Sequence, residues 1–401
     1  MRRALFLLAL IAAMVFACAG VVLAQSTEQR TPPEKGAQAS NSRVDADDIE
    51  KRGPPELKLP SNQSSEESVS GQEATSPALA QEATTQTSEQ RANGAFVGPD
   101  VWADPATKIT NFTNMVGTPP HVIMYYQNWE QPEKKYFDPA KMQTVVNKGA
   151  TPMVTWAPRD PALGKKQPKY ALKTIVAGTH DSYIRRWAKD AAAWGKSCQA
   201  TRRLASPCTM YLRFAHEMNG TWFPWSPGVN GNTSSEFRSA WKRIHGIFQQ
   251  EGATNVRWVW SPYVNCVGCS SFSSVYPGNA YVDWVALDGY NWGTTLSGSS
   301  WQSMAQVFGS SYDEVTALAP TKPFMIPEVS SAEKGGNKAE WIRNAFNRDI
   351  PNRLPKTKAV VWFSADFTAQ GETDWRVNSS TASLEAYKEV AALTSYRGHL
   401  P

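Results

Sequence analysis

Residues 209–226 read TMYLRFAHEMNGTWFPWS. An apolar run broken only by Arg213 stops at His216-Glu217, and Trp222, Phe223 and Trp225 follow close behind. The run suits a strand buried on both faces, which carries near-continuous hydrophobicity rather than alternation. An ionisable pair at its end, trailed by rings, suits a strand that opens onto a cleft.

The same kind of run recurs along the chain. GAFVG (94–98), HVIMYYQNW (121–129), TPMVTWAP (151–158), VRWVWSP (256–262), DWVALDGYNW (283–292), KPFMIPE (322–328) and KAVVWFS (358–364) complete a set of eight with the quoted stretch. Helix-prone segments separate them. In SSEFRSAWKRIHGIFQQEG (234–252), Phe237, Trp241, Ile244 and Phe248 recur at three- and four-residue spacing, one face of a helix, and Gly252 is a stop signal. Strand and helix alternating eight times over roughly 300 residues is the layout of a single α/β domain, a (β/α)8 barrel of the TIM type. Trp129, Trp156, Glu217, Ser261, Tyr290-Asn291-Trp292, Glu328 and Trp362 fall at or just beyond the C-terminal ends of the runs, the rim on which barrel enzymes build their sites. A doubly wound open sheet is the competing layout, but no GxGxxG turn follows a strand.

Ahead of this domain the composition changes twice. Arg2 and Arg3 precede an apolar stretch, and Val22-Leu23-Ala24 offers small residues before Gln25, so 1–24 reads as a secretory signal peptide rather than a membrane span. VFAC (15–18) could instead be a lipobox at Cys18, although Phe16 suits it poorly. Residues 25–93, rich in Ser, Thr, Gln and Glu, read as a disordered linker, either a tether or a tolerated pro-region. The folded domain is expected over 94–401, secreted and attached to the cell surface at most through the linker. With Cys18 set aside, the cysteines form two local pairs, Cys198 with Cys208 and Cys266 with Cys269. In an oxidising compartment such pairs staple loops. CxxC also suits zinc or a redox dithiol, but 198/208 has the wrong spacing for a second ligand pair.

Glu217 and Glu328 end the fourth and seventh runs, and in a barrel these ends face each other across the mouth. Two carboxyls converging on one cleft is what glycosidic bond cleavage needs: one protonates the departing oxygen, and the other stabilises or attacks the anomeric carbon. Apolar neighbours should keep Glu217 protonated and polar ones keep Glu328 ionised. With Glu328 as nucleophile, the carboxyls should lie about 5–5.5 Å apart and the reaction retain configuration. The bland alternative is that either Glu merely pairs with an arginine such as Arg213. Flat indoles suit the apolar C–H faces of sugars, so Trp156, Trp222, Trp225, Trp292 and Trp362 are candidate platforms. Other chemistries find little support. HEMNG lacks the second His of HExxH, no GxSxG elbow or phosphate loop appears, and a net charge of +5 is too diffuse for a nucleic-acid footprint. No metal or cofactor is expected, and a monomer is. NGT (219–221) is formally a glycosylation sequon.

RFAHEMNGTWFPW (213–225), WVWSP (258–262), YPGNAYVDWVALDGYNWG (276–293) and KPFMIPEVSSAEKGGNKAEWI (322–342) resemble glycoside hydrolase family 26, over roughly 95–393. Its best-known members are secreted endo-β-1,4-mannanases with a (β/α)8 fold and retained configuration. The resemblance implies that Glu217 is the acid/base and Glu328 the nucleophile. His216 would contact the sugar at the cleavage site, and Trp222 would stack on the leaving-group side. Tyr290 would position the nucleophile, Trp362 form the base of the site, and Arg213 hold the carboxylate geometry. One turn departs from the pattern. Where mannanases of the family often carry His in a WHP-like turn, TWAPRDP (155–161) has Ala157. Other members cut mixed-linkage β-1,3-1,4-glucan. The expected substrate is therefore a polysaccharide, β-mannan first and mixed-linkage β-glucan second. A barrel that only binds glycan is the non-catalytic alternative.

Overall fold

A computed structural model describes residues 90–130, 135–204 and 208–400. The expected signal peptide, Cys18 and nearly all of the linker lie outside the described residues. Eight strands close into a parallel barrel in sequence order: β1 (Ala92–Phe96), β2 (Val122–Asn128), β3 (Thr151–Ala157), β4 (Met210–Phe214), β5 (Val256–Trp260), β6 (Trp284–Asn291), β7 (Phe324–Ser331) and β8 (Thr357–Phe363). β1 pairs with β8 through Ala92↔Ala359 to Phe96↔Phe363, so the sheet has no free edge there. β1 begins earlier than the composition change at Gly94 suggests. Ala92 and Asn93 already belong to β1, the Arg91 amide donates to the Ser395 carbonyl at 2.7 Å, and Asn93 accepts from Tyr387. Backbone pairing with β8 carries polar Asn93 into a strand that hydrophobicity alone would not mark.

The main outer helices are α1 (Pro105–Val116), α2 (Pro139–Asn147), α3 (Asp181–Arg202), α4 (Ser234–Gln250), α5 (Met304–Leu318), α6 (Lys338–Asn344) and α7 (Thr381–Ala391). Their limits follow local chemistry. α1 starts on Asp104, whose carboxylate accepts from the Thr107 amide ahead of Pro105, and stops at left-handed Gly117. α4 opens with a capping box, Thr233 with Glu236, and buries the stripe Phe237, Trp241, Ile244 and Phe248. That stripe meets Trp258 on the outer face of β5 and Trp156 on the outer face of β3. Cys198 and Cys208 are joined and tie the end of α3 to the entry of β4; Cys266 and Cys269 are joined in the loop after β5. None of the described helices is long and apolar enough to cross a membrane.

Two backbone irregularities sit where the chemistry will matter. β7 carries one residue more than its neighbours: Ala286↔Met325 is followed by Asp288↔Glu328 on one side, and Ile326↔Val360 by Val329↔Trp362 on the other. Pro327, without an N–H to give to a ladder, lies inside this bulge, just before Glu328. After β4, Ala215 (φ 47°) and Glu217 (φ 51°) both take the left-handed conformation without being glycine. Such positions cost about 1 kcal/mol or more each and persist only where their surroundings impose them. The Glu217 amide is held by the Ser261 carbonyl at 2.7 Å and the Ala215 amide by the Trp156 carbonyl at 3.0 Å.

Candidate active site

The barrel's interior is charged near its mouth. Arg213, from β4, is fully buried and donates to Glu328 Oε1 at 2.9 Å, Asp288 Oδ2 at 2.5 Å and Thr155 Oγ1 at 3.0 Å. Burial alone would weaken its charge, but the flanking Asp288 and Glu328 carboxylates outweigh that and raise its pKa. Asp288 accepts a further bond from Ser261 at 3.0 Å. Glu328 is embraced on both oxygens: Tyr126 donates to Oε1 at 2.5 Å and Tyr290 to Oε2 at 2.6 Å. Burial and the adjacent Glu328 push both phenols well above their ordinary range, which keeps them protonated donors. Three donors therefore fix one carboxylate in orientation.

Glu217 is treated differently. It is buried, and its one described side-chain partner is the indole of Trp222, which donates to Oε2 at 2.7 Å. Burial, then the nearby Glu328 charge, raises its pKa to about 8, against the opposing pull of the Trp222 bond and Arg213. One oxygen each of Glu217, Asp288 and Glu328 lie within 4.8 Å of one another. Three carboxylates so close could suggest a cation site, but the Arg213 guanidinium already binds two of them, so the set does not fit a metal. Two carboxyls held in unlike surroundings across a gap of this size can deliver a proton from one and a lone pair from the other.

His216 lies against Tyr126 and Phe223 at ring distances of 5.6 and 4.7 Å. Its Nδ1 has no partner among the described residues, and burial followed by the Arg213 and Arg159 charges lowers its pKa well below the usual range. A neutral imidazole beside the carboxylates is a ready contact for a hydroxyl. Trp222 is half-buried, with its edge to Tyr263 at 5.4 Å. The chain must pass close beneath it: a Cβ on Gly220 would lie 2.3 Å from the indole ring. Asn219, formally the sequon asparagine, is fully buried and exchanges hydrogen bonds with the Tyr263 backbone at 2.8 Å in both directions, which leaves no room for a glycan.

Four of the five expected platforms are corrected, being withdrawn from solvent. Trp156 is fully buried among Trp129, Tyr183, Trp187 and Phe248, with its N–H given to the Tyr183 hydroxyl. Trp362 is equally buried, packed on Trp341 and Tyr387 and bonded to the Trp375 carbonyl. Both point outward to the helices, because successive strand side chains alternate faces. Their inward neighbours face the mouth instead: Thr155 touches Arg213, and Phe363 meets Tyr126 and Tyr290. Trp225 is also fully buried, giving its N–H to the His216 carbonyl and stacking on Phe223. Trp292 is nearly buried, edge-on to Trp375. Tyr126, Asp288 and Phe363 escaped the sequence reading. Asp288 had a signal, a lone acid inside an apolar run two positions before Tyr290 and so on the same face.

A barrel with two buried glutamates near its mouth, Glu217 just past the end of β4 and Glu328 inside β7 rather than at its end as expected, set among rings, defines a carbohydrate-cleaving class of site. Residues 130–369 match the model of glycosyl hydrolase family 26, and the chain belongs to that family. It is 38% identical over 307 residues, 74% of its length, to endoglucanase H of Acetivibrio thermocellus, covering 30% of that protein. It is 32% identical over 163 residues, 39% of its length, to the mannan endo-1,4-beta-mannosidase of Bacillus subtilis, covering 40% of it. The chain thus spans well under half the length of these curated relatives. Among solved structures, a GH26 beta-mannanase from Bacteroides ovatus superposes with a TM-score of 0.56 at 15% identity, covering 77% of this chain and 90% of that one. That likeness speaks to the fold alone.

Proposed function

We propose that the chain is a secreted, retaining endo-β-glycanase that hydrolyses β-1,4-mannan by double displacement. The observation that carries the chemistry is the unlike environment of the two glutamates: Glu217 held protonated near neutrality, Glu328 clamped by Arg213, Tyr126 and Tyr290. Glu328 attacks the anomeric carbon while Glu217 gives its proton to the leaving oxygen; Glu217, now a base, then activates the water that releases the glycosyl-enzyme. The nearest oxygens of the two glutamates lie within 4.8 Å, closer than the roughly 6.5–9.5 Å of inverting pairs, which favours retention over inversion. Trp222 takes the leaving-group side and His216 a hydroxyl at the cleavage site. The catalytic domain starts near residue 90, and the leader at 1–24 together with the two joined cysteine pairs supports an extracellular location. The chain acts as a monomer.

Mannan stands first because several relatives are named for it. A second reading, an endo-β-glucanase, is favoured by Ala157 as the last residue of β3 and by the long match to endoglucanase H, a protein more than three times the matched length. Incubation with galactomannan, glucomannan and mixed-linkage β-glucan, following reducing ends beside Glu328→Ala, separates them. Release from mannans that vanishes in the variant is the expected result. Release from β-glucan alone selects the second reading, and no release from any of the three refutes hydrolysis of these substrates.

A further inference from the structure

Arg159 follows β3 at the barrel mouth, and its charge has no counterion among the described residues. Arg213 is matched by Asp288 and Glu328; among the described residues, Arg159 makes one side-chain bond, from Nε to Asn128 Oδ1 at 2.9 Å, and lies 5.8 Å from the Phe223 ring. Its side chain is mostly withdrawn from solvent, and burial weakens its charge with little opposition. A desolvated cation without a partner is costly, and proteins keep one where a ligand completes it.

The guanidinium lines a cavity of about 310 Å³ on the β8–β1–β2 side of the mouth, away from Trp222 over β4 and β5. Its other walls include Phe96, Phe363, Phe367, Tyr126 and Asn128. Tyr126 joins this cavity to the carboxylates, since its hydroxyl is bonded to Glu328. The volume falls at the small end of the ~300–1,000 Å³ of ligand pockets, mostly apolar with a few placed polar groups. Aromatic walls suit the C–H faces of a pyranose, and a forked guanidinium suits a carboxylate taken by two parallel bonds.

We propose that this cavity is a subsite for a uronosyl residue on the side of the cut opposite Trp222, with Arg159 taking the sugar carboxylate and Asn128 supporting the fork. The inference rests on the glycanase reading and adds to it a preference, at this one subsite, for chains decorated with acidic units. The sugar carboxylate supplies the counterion that Arg159 lacks among the described residues, so acidic units are bound in preference to neutral ones of the same shape.

The test is calorimetric and independent of turnover. The full chain is titrated with methyl β-D-glucosiduronate and methyl β-D-mannosiduronate, each against its neutral glycoside. The uronides should bind about tenfold more tightly than the neutral pair, and added salt should narrow the gap. Arg159→Gln should erase the preference, and Arg159→Lys, which keeps the charge without the fork, should keep part of it. Unchanged thermal unfolding of both variants excludes a folding defect; should Arg159→Gln fail to fold, Arg159→Lys and the salt titration decide. Equal affinities, undetectable uronide binding, or a preference that survives Arg159→Gln overturns the proposal. Uronide selectivity in a chain that cleaves no glycan would leave the subsite standing and sink the hydrolase reading instead.

Discussion

Replacing Trp222 by Phe removes the indole N–H from Glu217 while leaving a ring in place. That N–H, 2.7 Å from Oε2, favours the charged carboxylate, so its loss must raise the pKa of the acid above its present value of about 8. A hydrogen bond to a charged group is worth roughly 1.5–3 kcal/mol, and one pKa unit corresponds to about 1.36 kcal/mol, giving a ceiling of ~1–2 units. Trp222 is only half-buried, and water can replace part of the bond, so a rise of ~0.5–1 unit is expected. The proton is needed on Glu217 for the first step, so activity should fall as pH climbs through this pKa, and the alkaline limb of kcat/KM should move upward in the variant. The assay is a pH profile of kcat/KM on the polysaccharide that the native chain cleaves, for both proteins in one buffer series. An alkaline limb that stays put, or moves to lower pH, would show that Glu217 is not the group titrating there or that Trp222 does not hold it.

Other outcomes follow from the same contacts. Glu217→Ala should slow polysaccharide cleavage by ~10²-fold or more while sparing aryl glycosides with good leaving groups, which need little acid help; equal losses on both would end the acid/base assignment. Arg213→Met leaves Asp288 and Glu328 buried without their shared cation, so a destabilisation of about 3–5 kcal/mol is expected in chemical denaturation, partly relieved by adding Asp288→Asn. Trp362→Ala should cost about 3–5 kcal/mol of stability with KM little changed, whereas Phe363→Ala should raise KM with a smaller loss of stability. A Trp362 effect confined to KM would return that ring to the cleft.

The eightfold alternation and the two glutamates of the fourth and seventh runs could be read from the chain because each is a local pattern. What could not be read is which way a barrel side chain faces. Strands buried on both sides show no polar alternation, so Trp156 and Trp362 look as well placed as Thr155 and Phe363, one position away. The error is one of parity, and it is corrected only when helices occupy one face, as α4 does beneath Trp156. Tyr126 was hidden for another reason. Its role depends on meeting Glu328 from the far side of the barrel, 202 positions away, and no local pattern records that. The bulge at Pro327 had a visible cause, a proline inside an apolar run, although its effect on the aim of Glu328 needs the ladder on both sides.

The left-handed turns at Ala215 and Glu217 bear on how portable this chemistry is. The acid's direction is set by the main chain and not chosen by its rotamer, with Ser261 of the next strand bracing the bend from outside. Grafting His-Glu onto the end of another barrel strand would therefore transplant the letters without the aim. A working transfer needs the neighbouring carbonyl and the twist it enforces, so the transferable unit is a pair of adjacent strand ends rather than a motif.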